Sequence, residues 1–230
     1  MKLIEQSHET LYIDDLTRIE IAGRTCYKSE DKITDTSADA FVRMLIKRGH
    51  EAMLEHGSAT VKFITNRGVT HELVRHRVAS FGQESTRYVG YTGITEFIKP
   101  VWFSSSATED WIGWDLTDAE FDQGYPEHAV EQFIVSLAES DYRYKQLLEA
   151  GWRPEQAREV LPNALKTEIV ATANFREFRH IFKLRALGTT GKPHPQMQAL
   201  MLPVLKEFAK LRPAMFDDLY QEAVTKGLYK

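Results

Sequence analysis

The 230-residue sequence predicts an α+β fold: one domain over 1–230, with a small, mostly antiparallel sheet packed with several helices. Three observations lead there. Most periodic segments repeat apolar residues at the three-to-four-residue spacing of a helix. The few strand-like segments do not alternate regularly with helices, as a doubly wound sheet would require. The chain is 43% hydrophobic, enough for one sizeable core, and its eight prolines are scattered without forming a linker.

The elements follow in order. Lys2–Ile4 is a short edge strand. Over 14–26, Leu16, Ile19, Ile21 and Ala22 recur at loose helical spacing. The segment 37–48 is helical, with Phe41, Met44 and Leu45 as an i, i+3, i+4 stripe and Gly49 at its C-terminal stop. Over 58–65, Ala59, Val61 and Phe63 alternate with Thr60, Lys62 and Ile64, the pattern of a strand. A helix over 69–78 would carry Arg75, His76 and Arg77 at its end and run into a glycine-containing loop. A strand over 96–103 precedes the polar stretch 104–128, which holds Trp111, Trp114 and Phe121 and is expected to be irregular. A long helix over 129–149 follows, then a short one over 154–161 that opens on a proline, a permitted first-turn position. A strand over 166–173 and helices over 175–187, 196–210 and 214–226 complete the chain.

Charge narrows the function. With 29 basic and 33 acidic side chains the net charge is −4, yet Arg75, His76, Arg77 and Arg87 crowd into thirteen residues with Ser80 and Ser85. Such a run is a local device for an anion, since the planar arginine fork grips phosphate or carboxylate through paired hydrogen bonds. A nucleic-acid-binding module built on Arg75, Arg77 and Arg87 is the rival from another class, and the absence of a broad basic patch counts against it. No stretch approaches the roughly 20 apolar residues of a membrane span. The first residues turn polar too soon for a secretory signal. The single cysteine, Cys26, forms no internal disulfide and reads as a small buried hydrophobe. The expectation is a cytoplasmic protein in a reducing compartment, without membrane or nucleic-acid partners.

Several residues can be weighed on their own chemistry. Arg158 lies three residues after Glu155, which on spacing alone is a surface ion pair. Asn174 and Glu177 form a capping-box pattern. At about 100° per residue, Phe178, Ile181, Phe182 and Arg185 share one helix face, while Arg176, His180 and Lys183 share the other. An arginine that extends an apolar stripe needs an anionic or polar partner. His50 and His56, with Glu51 and Glu55, fit no common zinc spacing. His71 and His76 are five apart, so they diverge by about 140° and cannot serve one ion from one helix face. The 188–193 segment is two residues short of a phosphate loop and has proline where that loop needs Ser or Thr.

Arg75-His76-Arg77, then seven residues, then Ser85 with Arg87-Tyr88 following, resembles the signature of the flavin-dependent thymidylate synthases. Gly82 and Gln83 depart from it, standing where many members carry Asn-Glu, and Glu84 supplies a carboxylate one position later. Three further segments resemble the family: Gly49-His50-Glu51 with Leu54-Glu55-His56, Ala157-Arg158 with Leu161-Pro162, and Asn174-Phe175-Arg176 with His180 and Leu184-Arg185. The resemblance implies FAD held by His50, Ala52, Arg75, His76, Arg77 and Gln83, and by Asn174, Phe175, Arg176 and His180. It implies dUMP at Glu72, Leu73, Val74 and Arg75, at Gln83, Glu84, Ser85, Thr86 and Arg87, and at Arg158 and Arg185. Arg185 is the implied catalytic cation at the uracil ring. The implied reaction is reductive methylation of dUMP to dTMP, with methylenetetrahydrofolate as carbon donor, NADPH as reductant and no metal. The family is a homotetramer with sites at subunit junctions, which would suit Arg158 and the 75–87 segment coming from different chains.

Overall fold

The computed structural model describes residues 1–103 and 127–229. Their strands are β1 (Lys2–Ile4), β2 (Ser7–Ile13), β3 (Ser58–Asn66), β4 (Ala79–Gln83), β5 (Glu96–Ile98) and β6 (Lys166–Asn174). Their helices are α1 (Thr17–Tyr27), α2 (Ser37–Lys47), α3 (Arg67–Leu73), α4 (Glu127–Glu149), α5 (Pro154–Ala157), α6 (Phe175–Arg185), α7 (Pro195–Leu211) and α8 (Pro213–Thr225). Short 3₁₀ turns occupy Glu30–Lys32, Glu51–His56 and Arg158–Val160. The α+β class holds. A small antiparallel sheet runs in the order β2-β3-β6-β4, and β1 pairs in parallel with β5, Leu3 opposite Phe97. The alternation of β3 puts Ala59, Val61 and Phe63 inside, and β6 does the same with Thr167, Ile169, Ala171 and Ala173.

Four expectations are corrected. Helix α3 stops at Leu73, so Arg75, His76 and Arg77 lie beyond it in the turn that leads to β4. The segment after them is strand β4, where the sequence suggested a loop. Glycine at position 82 misled, because a lone glycine reads as a breaker, and pairing with β6 decides the conformation instead. Strand β5 ends at Ile98, two residues before Pro100. Cys26 is exposed, its Sγ lying 3.6 Å from the Ala22 carbonyl on α1. Strand β2 has no counterpart in the expectations, because most of its side chains are exposed and no apolar alternation marks it. The expectation for 104–128 lies outside the described residues, apart from the helical start of α4.

The chain divides into two compact units. The first comprises Met1–Ser7, Ile64–Glu72 and Gln83–Ile169; its core includes Phe97, Leu137 and Leu165, packed with Leu3, Tyr91 and Leu161. The second comprises His8–Phe63, Leu73–Gly82 and Val170–Lys230. Phe175, Phe178, Phe182, Phe208 and Phe216 form a cluster of edge-to-face and tilted ring contacts there that joins α6, α7 and α8. Each is at most 1% exposed, which contributes about 1.5–3 kcal/mol per side chain. The start of α6 is seated by Gly57, whose carbonyl accepts the Phe175 N–H at 2.8 Å. A Cβ on Gly57 would stand 2.6 Å from the Phe175 ring, so a side chain there would displace the helix start. Arg179 is buried on the α8 side of α6, forked onto Asp218 at 2.5 and 2.7 Å and donating to the Met215 carbonyl. Among the described residues no helix is long and apolar enough to cross a membrane.

Candidate active site

In the first unit the polar segment 83–87 is braced before it reaches any ligand. Gln83 Nε2 donates to Thr70 Oγ1 at 3.0 Å and Thr167 Oγ1 at 3.2 Å. The Glu84 N–H donates to the Glu168 carbonyl at 2.9 Å, and the Glu84 carbonyl accepts Arg67 Nη2 at 3.0 Å. Its carboxylate accepts the Tyr91 hydroxyl at 3.0 Å and lies 3.6 Å from Lys166 Nζ. Burial and the Glu84 charge push the Tyr91 phenol above its ordinary range, so it remains a donor. The amide nitrogen of Gln83 and Oε1 of Glu84 are therefore occupied within the fold, while the buried Glu84 Oε2 has only the Lys166 ammonium near it.

The next residues form a turn from which Arg87 is exposed. Ser85 Oγ accepts the Arg87 N–H at 3.3 Å, and the Ser85 carbonyl accepts the N–H groups of Tyr88 and Val89. Thr86 is buried and its Oγ1 accepts Arg158 Nη1 at 3.2 Å. Arg158 thus meets the 85–87 turn within one chain, and no second copy is needed to bring them together. Its carboxylate neighbour is Glu159, at 3.7 Å, and not the expected Glu155. Glu155 lies 3.5 Å from both Arg87 and Arg153. Nothing in the local sequence marks Arg153 beyond the proline after it, which opens α5. Guanidinium groups outnumber carboxylates at this turn, which suits a doubly charged phosphate.

In the second unit the site forms where β6 passes into α6. Asn174 Oδ1 accepts the Glu177 N–H at 2.8 Å and so caps the helix. Only half of the capping box forms, because the Glu177 carboxylate reaches His76 Nδ1 at 3.1 Å. His76 Nε2 lies 3.2 Å from Arg185 Nε, and the His180 ring meets His76 edge-on at a centroid distance of 5.8 Å. Arg185 shares the face of Phe178, Ile181 and Phe182, as the periodicity requires, and His76 is a polar partner for it. Burial pushes His76 below the ordinary imidazole range; the hydrogen bond to Glu177 opposes this and the charge of Arg185 reinforces it. The donor atoms of His76, Glu177 and His180 lie within 4.8 Å of one another, a set that could hold a cation by type. The Arg185 guanidinium already places positive charge beside them, which disfavours a second cation.

Beside this cluster is a cleft of about 310 Å³ lined by Glu51, Glu55, Val78, Asn174, Arg176, His180 and Lys183, among others. Arg176 contacts Glu55 at 2.6 Å and Glu51 at 3.6 Å, and Lys183 lies 3.8 Å from Glu51. The cleft thus presents Arg176 and Lys183, each paired with a glutamate, together with the Asn174 amide, the His180 ring and an exposed valine, a mixed polar and apolar lining. The volume accommodates part of a dinucleotide. His50 and Ala52 are exposed at the start of the 3₁₀ turn that supplies Glu51 and Glu55. Val74, Arg75 and Arg77 are exposed and Glu72 is partly buried. Leu73 and Phe175 are at most 1% exposed, so any ligand contact they make is through the backbone.

Residues 9–214 match the family model described as thymidylate synthase complementing protein. The chain is 32% identical to the flavin-dependent thymidylate synthase of Corynebacterium diphtheriae over 217 residues, covering 93% of this chain and 82% of that protein. It is likewise 32% identical to that of Geobacter sulfurreducens over 212 residues, covering 89% and 82%. The chain belongs to the flavin-dependent thymidylate synthase family. Its fold is similar to that of the UMP/dUMP methylase PolB from Streptomyces cacaoi, a crystal structure with 5-Br dUMP bound. The TM-score is 0.76 at 23% identity, covering 94% of this chain and 96% of that one.

Proposed function

We propose that this chain methylates dUMP reductively to dTMP, with methylenetetrahydrofolate as carbon donor, NADPH as reductant and FAD as the bound flavin. The observation that carries the reading is the 3.2 Å contact between His76 and Arg185, which joins two family segments separated by 109 residues. Uracil C5 is a weak nucleophile. A fixed cation beside N3 and O4 stabilises negative charge on the ring and makes C5 electron-rich. Arg185 takes that role. The bound flavin supplies the redox chemistry, while the protein supplies placement and electrostatics. Electrons balance without the folate: two come from NADPH, so the transferred carbon is reduced to a methyl group and the folate leaves at the tetrahydro level.

Arg87 and Arg158, with the backbone around Ser85, anchor the phosphate. Each charge-assisted contact is worth about 1.5–3 kcal/mol, so Arg87→Ala or Arg158→Ala is expected to weaken dUMP about tenfold or more. FAD content is expected to stay near that of the parent. Unchanged dUMP affinity by calorimetry in both variants would remove this assignment. Following the resemblance, the working form is a homotetramer with sites at subunit junctions.

The reading is tested by denaturing purified protein, identifying the released chromophore by mass, and assaying dTMP formation from the three substrates. FAD and dTMP are expected. A chain that takes up no FAD from excess cofactor contradicts the reading. FAD without product marks a flavin-binding relative that has lost turnover, and salt-sensitive DNA retention by a colourless protein marks the nucleic-acid rival.

A further inference from the structure

We propose that Glu177 is a positioning residue for Arg185, acting through His76: its carboxylate selects the Nδ1–H tautomer of the imidazole, and the bare Nε2 then holds the arginine Nε. The role rests on the reading of Arg185 as the cation at the uracil ring.

The tautomer follows from donors and acceptors. A guanidinium has five N–H donors, no acceptor, and keeps its proton in proteins. With Arg185 Nε 3.2 Å from His76 Nε2, that ring nitrogen must accept and so carries no proton. On the other side of the ring, Glu177 Oε1 lies 3.1 Å from Nδ1, and an ionised carboxylate only accepts. Nδ1 therefore carries the proton. Two neighbours on opposite sides select the same form independently. A doubly protonated ring would set an N–H against the guanidinium, and His76 is only 5% exposed, so water gives little relief. Burial, which already pushes the imidazole below its ordinary range, favours the neutral ring as well.

The local fold makes the arrangement stiff. Asn174 caps the Glu177 N–H and fixes the first turn of α6, so the Glu177 backbone is held without help from its own carboxylate. The His180 ring, inclined at 72° to His76, restricts flipping of the imidazole. Arg185 stands on the same helix, so Glu177 and Arg185 clamp one ring from two turns of a single rigid element. Once its Nε is tied to the ring, the guanidinium fork is restricted in the direction it presents. Without Glu177 the buried Nδ1–H loses its acceptor, and the ring can shift its proton to Nε2. Two donors would then face each other, and Arg185 would have to move. This resembles the general rule that a ligating or catalytic histidine has its tautomer set by the partner of its other nitrogen.

The test compares FAD-loaded parent, Glu177→Ala and Glu177→Gln. Long-range ¹⁵N–¹H spectra of ring-labelled protein read the His76 tautomer, assigned by the signal lost in a His76 variant. The parent is expected to show Nδ1–H. Glu177→Ala is expected to lose that form and to lower kcat tenfold or more, in a protein that still folds and takes up FAD but melts somewhat below the parent because a buried donor has lost its acceptor. Glu177→Gln keeps a carbonyl acceptor and is expected to restore both the tautomer and most of kcat. Should the alanine variant fail to fold, Glu177→Met, similar in size and without a comparable acceptor, takes its place. Nε2–H in the parent, or an acceptor-free variant with parental kcat, overturns the positioning role while the proposed function stands. A parent that shows Nδ1–H but forms no dTMP overturns the proposed function and the positioning role with it.

Discussion

Arg185→Lys is expected to reduce dTMP formation on the order of 100-fold, the scale seen when one preorganised donor to a developing charge is removed. Lysine keeps the positive charge but loses the planar fork, so it cannot donate to His76 and face a second group with fixed geometry. The Nε contact at 3.2 Å disappears, and with it the anchor that aims the cation. The helix is expected to survive, because lysine is nearly as good a helix former as arginine. Phe178, Ile181 and Phe182 still hold the buried face. A melting curve near the parent's, beside a steep loss of turnover, is the expected pair of results. Parental turnover would leave Arg185 as an arginine snorkelling from a helix end.

Asp218→Ala is expected to give the largest loss of stability, about 3 kcal/mol, from leaving a buried guanidinium without its counter-ion. Arg179 has a side-chain exposure of 5%, whereas Asp218 is 48% exposed, so the carboxylate is the partner whose removal strands a buried charge. In a chain of this size that loss lowers the melting temperature by about 6–12 °C. The pH dependence has a definite sign. Burial pushes the Asp218 carboxyl up, but the hydrogen bonds and charge of Arg179 outweigh it, and the group sits below its usual range. The contribution is therefore complete above about pH 4, the ordinary carboxylate value, and is lost as pH falls through the lower folded-state value. A variant that melts with the parent at neutral pH would show that Met215 and the surrounding fold suffice for Arg179.

The sequence made the long helices and the two central strands legible, because their periodicity is strong. Helices α2, α4, α6, α7 and α8 and strands β3 and β6 all lie where periodicity places them. Strands β2 and β4 were not legible. They flank the sheet, expose much of their surface, and owe their conformation to neighbours instead of to alternation. The site residues were legible through motif spacing, but their partners were not. At the third position of a helix Glu177 satisfies a local capping rule, and nothing local reveals that its carboxylate reaches a histidine 101 residues away. Arg158 shows the same limit: Glu155 is the neighbour that helical spacing suggests, while folding supplies Thr86, 72 residues away. Nothing local marks Arg179 for burial, because its partners lie on α8.

The central claim, flavin-dependent methylation of dUMP, is tested most directly by a single turnover. The FAD-loaded enzyme is reduced under anaerobic conditions and mixed with dUMP and methylenetetrahydrofolate, and the flavin absorption is followed as dTMP is counted. Reoxidation is expected only when both substrates are present, with one dTMP formed per flavin oxidised. Reoxidation without dUMP, or with dUMP but without dTMP, would contradict it.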